Sequence, residues 1–408
     1  MSLMKSFGVL KSSWNPSPRQ YTIDNWMFRL HYKATVLFFL AASILVTSRQ
    51  YIGEHIKCIA DKGVSQRVMN SFCFFTSTFT VIKHLDANQL DSGNLAHPGV
   101  GPYGINSAEP IKKHAYYQWV PFVLFFQGIM FYSTHLLWKK MEGGRLKYLV
   151  NGLKYAAFSL EDKELEIKSK KQKQGQKKLM IPTKGDKTKK IQQIRNLFTQ
   201  GIYVNRNWST KLIVCEVLNV LHVIFQICLT NKFLGGNFIS LGLHILSEGL
   251  NSNVDILDEV FPKVTKCTFH KYGPSGSIQH HDAMCVMALN IVNEKIYTGL
   301  WFWFAFILIG SILAVIWRIL TIFLYSRSRI FNRLVFCTSS PGRLNPWRVL
   351  SLLNQVSFTD WLFLVYLSKN IDPMVFRDIS QGISEDMQEK TGDKLLIDDV
   401  DGQKFSGI

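Results

Sequence analysis

The chain has 408 residues, of which 47% are hydrophobic and 13% aromatic, and its formal net charge is +18. Length alone would suggest two or three soluble domains, but the apolar residues are gathered into a few long runs and the lysines lie elsewhere, the pattern of a membrane protein. P-loop, G-x-S-x-G and H-E-x-x-H motifs are absent from the sequence, so no enzyme constellation and no cofactor is expected.

The first apolar run is uncharged from Ala34 to Ser48 and follows a mostly polar segment, 1–24. It is short for roughly 30 Å of hydrocarbon at about 1.5 Å per residue, so it spans when Arg29, Lys33 and Arg49 snorkel to the interfaces. The first span with its flanks is assigned to 25–50. No small-residue cleavage site follows it, so it reads as a signal anchor rather than a cleaved signal peptide. Ala41, Ala42, Ser43, Thr47 and Ser48 allow either close helix approach or the lining of a wide pore.

A long loop, 51–115, carries Cys58 and Cys73, and the second span is Tyr116–Trp138. Its start, "YYQWVPF", has the composition of an interface. Tyr116, Tyr117 and Trp119 are amphipathic anchors, and Pro121 should bend the helix one turn in. The segment 139–211 follows. Between Lys139 and Arg206 it holds 18 Lys and Arg against 6 acids, a net of +12. Its densest part, "KSKKQKQGQKK" (168–178), reads as a contact for anionic lipid or an acidic partner, not for nucleic acid.

The third span, 212–230, holds Glu216, Asn219, His222 and Gln226 at spacings of 3, 3 and 4, which places them on one helical stripe. Such a stripe should face other helices or water. Interhelical hydrogen bonding is the simplest role, with pore-adjacent, gating and proton-relay roles as alternatives. A second long loop, 231–297, carries Cys267 and Cys285. The fourth span with an inner extension is 298–325, and 326–408 is the tail. In the tail, Asp360–Pro373 is apolar but too short to span, so it should pack in a helical dome. Glu385, Asp386 and Glu389 read as a solvated face.

Within 20 residues of the span ends, Lys and Arg number 15 on the side of the termini and 8 on the other. With the basic 139–211 segment, this puts both termini and that segment in the cytoplasm and the two long loops outside. The single glycosylation sequon, Asn207-Trp208-Ser209, then lies inside and should stay unmodified. Two cysteines in each outer loop read as disulfides, for which three pairings exist. Cross-links between the loops are favoured because the loops emerge from one bundle. The nested pattern joins Cys58 to Cys285 and Cys73 to Cys267. A zinc site drawn from Cys267, His270, His280, His281 and Cys285 is the competing reading.

The blocks "MFRLHYKATV" (27–36), "SRQYIG" (48–53), "YYQWVPF" (116–122), "FPKVTKCTFHKYGPSGS" (261–277), "NIVNEKIYTGLWFWF" (290–304) and "KNIDP" (369–373) resemble those of the innexins, the invertebrate gap-junction family related to pannexins. They are spread from residue 27 to residue 373 and make up 60 of the 408 residues. The most specific of them is Tyr116, Tyr117, Gln118, Trp119, Val120 and Pro121 at the outer end of the second span. One departure is Met141, where many members carry tryptophan. The lysine-rich piece at 168–190 also looks unlike most relatives.

The resemblance implies an all-α membrane protein, a four-transmembrane-helix bundle with disulfide-linked extracellular loops and a helical cytoplasmic dome. The N-terminal 1–24 segment would fold as a pore funnel. Octameric rings, homomeric or with other innexin subunits, would form hemichannels at the plasma membrane. These would dock with hemichannels of a neighbouring cell as gap junctions passing ions and small metabolites. An undocked, pannexin-like hemichannel releasing small molecules is the alternative.

Overall fold

The computed structural model describes residues 21–52, 56–60, 63–85, 95–102, 109–150, 153, 184–200, 202–248, 256–339 and 356–386. The expected funnel up to residue 20 and the 168–178 basic stretch lie outside the described residues. Four helices are long and apolar enough to cross a membrane. They are α1 (Trp26–Ile52), α3 (Val120–Glu142), the Asn207–Phe233 part of α5 (Ile202–Phe233) and α7 (Ala288–Leu324). The other principal helices are α2 (Gln66–Thr76), α4 (Lys184–Gln200), α6 (Phe238–Glu248), α8 (Arg329–Ser339), α9 (Phe358–Ser368) and α10 (373–386).

The helices run beyond the uncharged stretches that mark them in sequence. α1 begins eight residues before Ala34 and contains one wider π-helical turn, Leu30–Ala34. α7, at 37 residues, is about 55 Å long, well over the hydrocarbon thickness. Charge does not end a helix. It only moves the helix out of lipid, so the edges of an apolar run mark the membrane rather than the helix ends.

Pro121 also differs from expectation. Tyr116–Gln118 form a 3-10 turn and α3 starts at Val120, which puts Pro121 in the first helical turn. A proline there lacks only an N–H that would have had no helical partner, so it starts the helix instead of bending it.

The described chain divides into two compact units. One comprises Trp26–His135 and Leu218–Leu313. The other comprises Met1–Asn25, Leu136–Val217 and Ala314–Ile408.

The first unit contains a five-stranded antiparallel sheet in the order β1-β5-β4-β2-β3. β1 (Lys57–Ala60), β2 (Thr78–Val81) and β3 (Ile111–His114) come from the first long loop, and β4 (Val264–Tyr272) and β5 (Ile278–Val286) from the second. The β4–β5 hairpin turns at Gly273–Ser277. Gly276 adopts φ 76°, a left-handed value that suits glycine, and Gly273 N–H donates to Ser277 O at 2.8 Å. The core of this unit is continuous from sheet to helices. Tyr297 of α7 stacks on Phe261 at 5.6 Å, and Phe39 of α1 stacks on Phe131 of α3 at 5.5 Å.

The second unit is built around α9. Every residue of this helix from Asp360 to Ser368 is buried. Ser357 caps its start by accepting from Asp360 N. Trp208 lies edge-on to Trp138, Phe363 and Tyr366 at 5.3–5.5 Å. Burial of α9 on all sides explains an apolar segment too short to span. Asp386 differs from the solvated reading, because both its carboxylate oxygens accept from Arg195 of α4.

Candidate functional site

The bridged sheet is the first candidate. Cys58 and Cys285 are directly paired across β1 and β5 and joined by a disulfide. Cys73 of α2 bonds to Cys267 of β4. All four sulfurs are therefore committed, and the zinc reading that used Cys267 and Cys285 loses two of its five ligands. His270 and His280 remain side by side, while His281 pairs with Phe269 in the hairpin register.

α2 also serves β1, which lies at the edge of the sheet. Asn70 Oδ1 accepts from Cys58 N at 2.9 Å. An edge strand otherwise presents open backbone groups to other chains.

The "YYQWVPF" block joins this sheet to α3. Tyr117 is fully buried, and its hydroxyl donates to Phe74 O at 3.1 Å, while Gln118 Nε2 donates to the same carbonyl at 2.6 Å. Tyr116 meets Phe261 edge to face at 5.9 Å. Only Trp119, 62% exposed, stays where an interfacial anchor would sit. Tyr117 thus pins α2 to the start of α3 and Tyr116 packs on the second long loop, so neither serves as a lipid-interface anchor. Composition could not separate these roles, since both use an amphipathic ring.

The polar stripe of α5 is the second candidate. In the unit that holds the sheet, Gln127 of α3 donates to Gln226 Oε1 at 3.1 Å and to Thr230 Oγ1 at 2.9 Å. Gln226 Nε2 lies 3.0 Å from His222 Nε2, and His222 Nδ1 lies 3.3 Å from His31 Nε2. Asn219 is buried on the same stripe.

In the other unit, Glu216 is held by three donors. Arg318 Nε and Nη2 donate at 2.8 and 2.6 Å, and Asn25 Nδ2 donates at 2.8 Å. Tyr366 is hydrogen-bonded to the same arginine. Its phenol is pushed up by burial, and Arg318 opposes that shift. Sequence reasoning missed Arg318, Asn25, His31 and Gln127. A lone carboxylate in an apolar run does signal that a cation must exist, but Lys33, Lys139 and Arg318 each border another run, so the sequence offers candidates without choosing among them.

A family model described as Innexin matches residues 24–387. The chain belongs to the innexin family.

Among curated relatives, Innexin inx7 of Drosophila melanogaster is 45% identical over 383 residues, covering 92% of this chain and 84% of the relative. Innexin inx2 of the same organism is 41% identical over 371 residues, covering 90% and 92%. Innexin shaking-B is 35% identical over 366 residues, covering 88% and 89%. This innexin is therefore a multi-pass plasma-membrane protein, a gap-junction channel subunit that works as an oligomer and not an enzyme. The polar seam fits such a subunit, because hydrogen bonds between helices within one subunit leave the apolar faces for lipid and neighbouring subunits.

Proposed function

We propose that this innexin forms octameric rings, that two rings dock across the space between neighbouring cells, and that ions and small metabolites pass through the joined pore. Both termini and the 139–211 segment face the cytoplasm in this reading, and the bridged sheet faces outward. The observation that carries it is the interleaving of the two long loops. Three strands of one and two of the other form a single sheet closed by two disulfides. A surface fixed before contact loses little freedom on association, which is what end-to-end docking requires. Neither loop contains a glycosylation sequon, so no glycan would obstruct the face. Ser209 of the lone sequon is buried and donates to Thr359 O at 2.8 Å, which supports its placement away from the glycosylation machinery.

Selectivity would come from pore width and charge at the mouth rather than from a fitted site. The test is junctional conductance between paired cells expressing the chain, alone or with a co-expressed relative. Conductance in at least one pairing is expected. Its absence in every pairing would sink the docking claim, and membrane current in single cells without junctional current would point to the undocked channel.

A further inference from the structure

The β4–β5 hairpin carries His270, His280 and His281. We propose that His270 and His280 form a surface site for a divalent transition-metal ion of the zinc type. The two residues are direct cross-strand partners, so their side chains leave the same face of the sheet. Their rings lie with centroids 4.7 Å apart at 78°, and both residues are exposed. Small side-chain rotations would aim one nitrogen from each ring at a shared ion at about 2.0–2.1 Å. Asp282 lies two residues from His280 on the same face, away from the turn, and its Oδ1 accepts from its cross-strand partner Thr268 Oγ1 at 3.0 Å. The two imidazoles are the protein ligands, and water completes the coordination.

The framework is prepared for this. The hairpin is paired over nine residues on each strand, and a disulfide leaves each strand at Cys267 and Cys285. The two imidazoles are therefore held together before an ion arrives, and binding need not order the backbone. His281, paired with Phe269, belongs to the opposite face of the sheet and is the internal control. The site is independent of docking, since it needs only one folded subunit.

The test uses purified full-length channel in detergent. Zinc binding is titrated by competition with a chromogenic chelator for the parent, His270→Asn, His280→Asn and His281→Asn. The parent should show a site that His270→Asn and His280→Asn each weaken by about tenfold or more and that His281→Asn retains. Identical titrations for all four proteins, or loss in His281→Asn alone, would overturn the assignment. Should either variant fail to assemble, the parent is treated with diethyl pyrocarbonate with and without zinc. Mass spectrometry should then show zinc protecting positions 270 and 280 but not 281, and equal modification of the three with and without zinc would refute the site.

Discussion

Glu216 and Arg318 show what a single residue asks of its surroundings. Both are nearly buried, and removing an ion from water costs several kcal/mol unless a partner and further donors repay it. The bidentate arginine and Asn25 supply that repayment. Breaking the pair with Glu216→Ala or Arg318→Met should lower stability by about 3–5 kcal/mol, because each leaves an uncompensated charge. The double variant should lose much less than the sum of the two. Thermal unfolding of the detergent-solubilised protein measures all three, and simple additivity would show that the two side chains act separately.

His114 poses the opposite problem, a buried base kept neutral. Burial, and next the Lys112 charge, lower its pKa from 6.5 to about 4, and its Nε2 lies 2.8 Å from Thr80 Oγ1. The unfolded chain therefore binds more protons than the folded one between those values. Stability rises with pH across that window and falls on acidification, by roughly 3 kcal/mol in total. Hydrogen-exchange protection of β2 and β3 should drop between pH 7 and pH 5, and His114→Gln should flatten the dependence.

At the scale of elements, the outer start of α3 is the informative case. Tyr117→Phe removes one buried hydrogen bond and should cost about 1 kcal/mol. Pro121→Ala should change stability by only a few tenths, since the proline occupies a position where its missing N–H is not needed. A loss of several kcal/mol for Pro121→Ala would mean that it shapes the helix after all. The four spans were legible because a long apolar run with at most one charge has few other uses, and the short first run could be completed by snorkelling flanks. The stripe on α5 was legible because its spacing is helical. The sheet was not. β1, β2 and β3 are four residues each, too short for an alternating pattern to stand out, and their partners lie as far as 229 residues away, as for Lys57 with Val286. Pairing over such distances leaves no local mark, whereas the cysteines advertised the cross-link through their even distribution between the two loops. Arg318 was legible as a charge near a span end but not as a partner, because helix-to-helix register is set by packing.

For the whole molecule, the two bridges connect segments next to every span. Cys58 follows α1, Cys73 precedes α3, Cys267 follows α5 and Cys285 precedes α7. Their sequence separations of 227 and 194 residues would be worth at most about 5 kcal/mol each in a chain-entropy account. The membrane already restricts the unfolded chain, so the gain in stability is smaller than that. Their larger effect is geometric, since they fix the sheet that the docking proposal relies on. Replacing Cys58 or Cys267 with serine should abolish junctional conductance even where the subunit still reaches the surface, as read by surface labelling in the same cells. Undiminished coupling would remove the bridges from the docking account.

Both bridges also straddle the middle of the chain, and this makes the polypeptide covalently redundant. A protease cut anywhere between residues 143 and 201 separates the backbone into halves that each keep two of the four bridged cysteines. The halves remain one molecule through sulfur alone. A channel nicked from its basic side should migrate at full mass without reductant and fall into two fragments when reductant is added, having stayed in the membrane as a single subunit throughout.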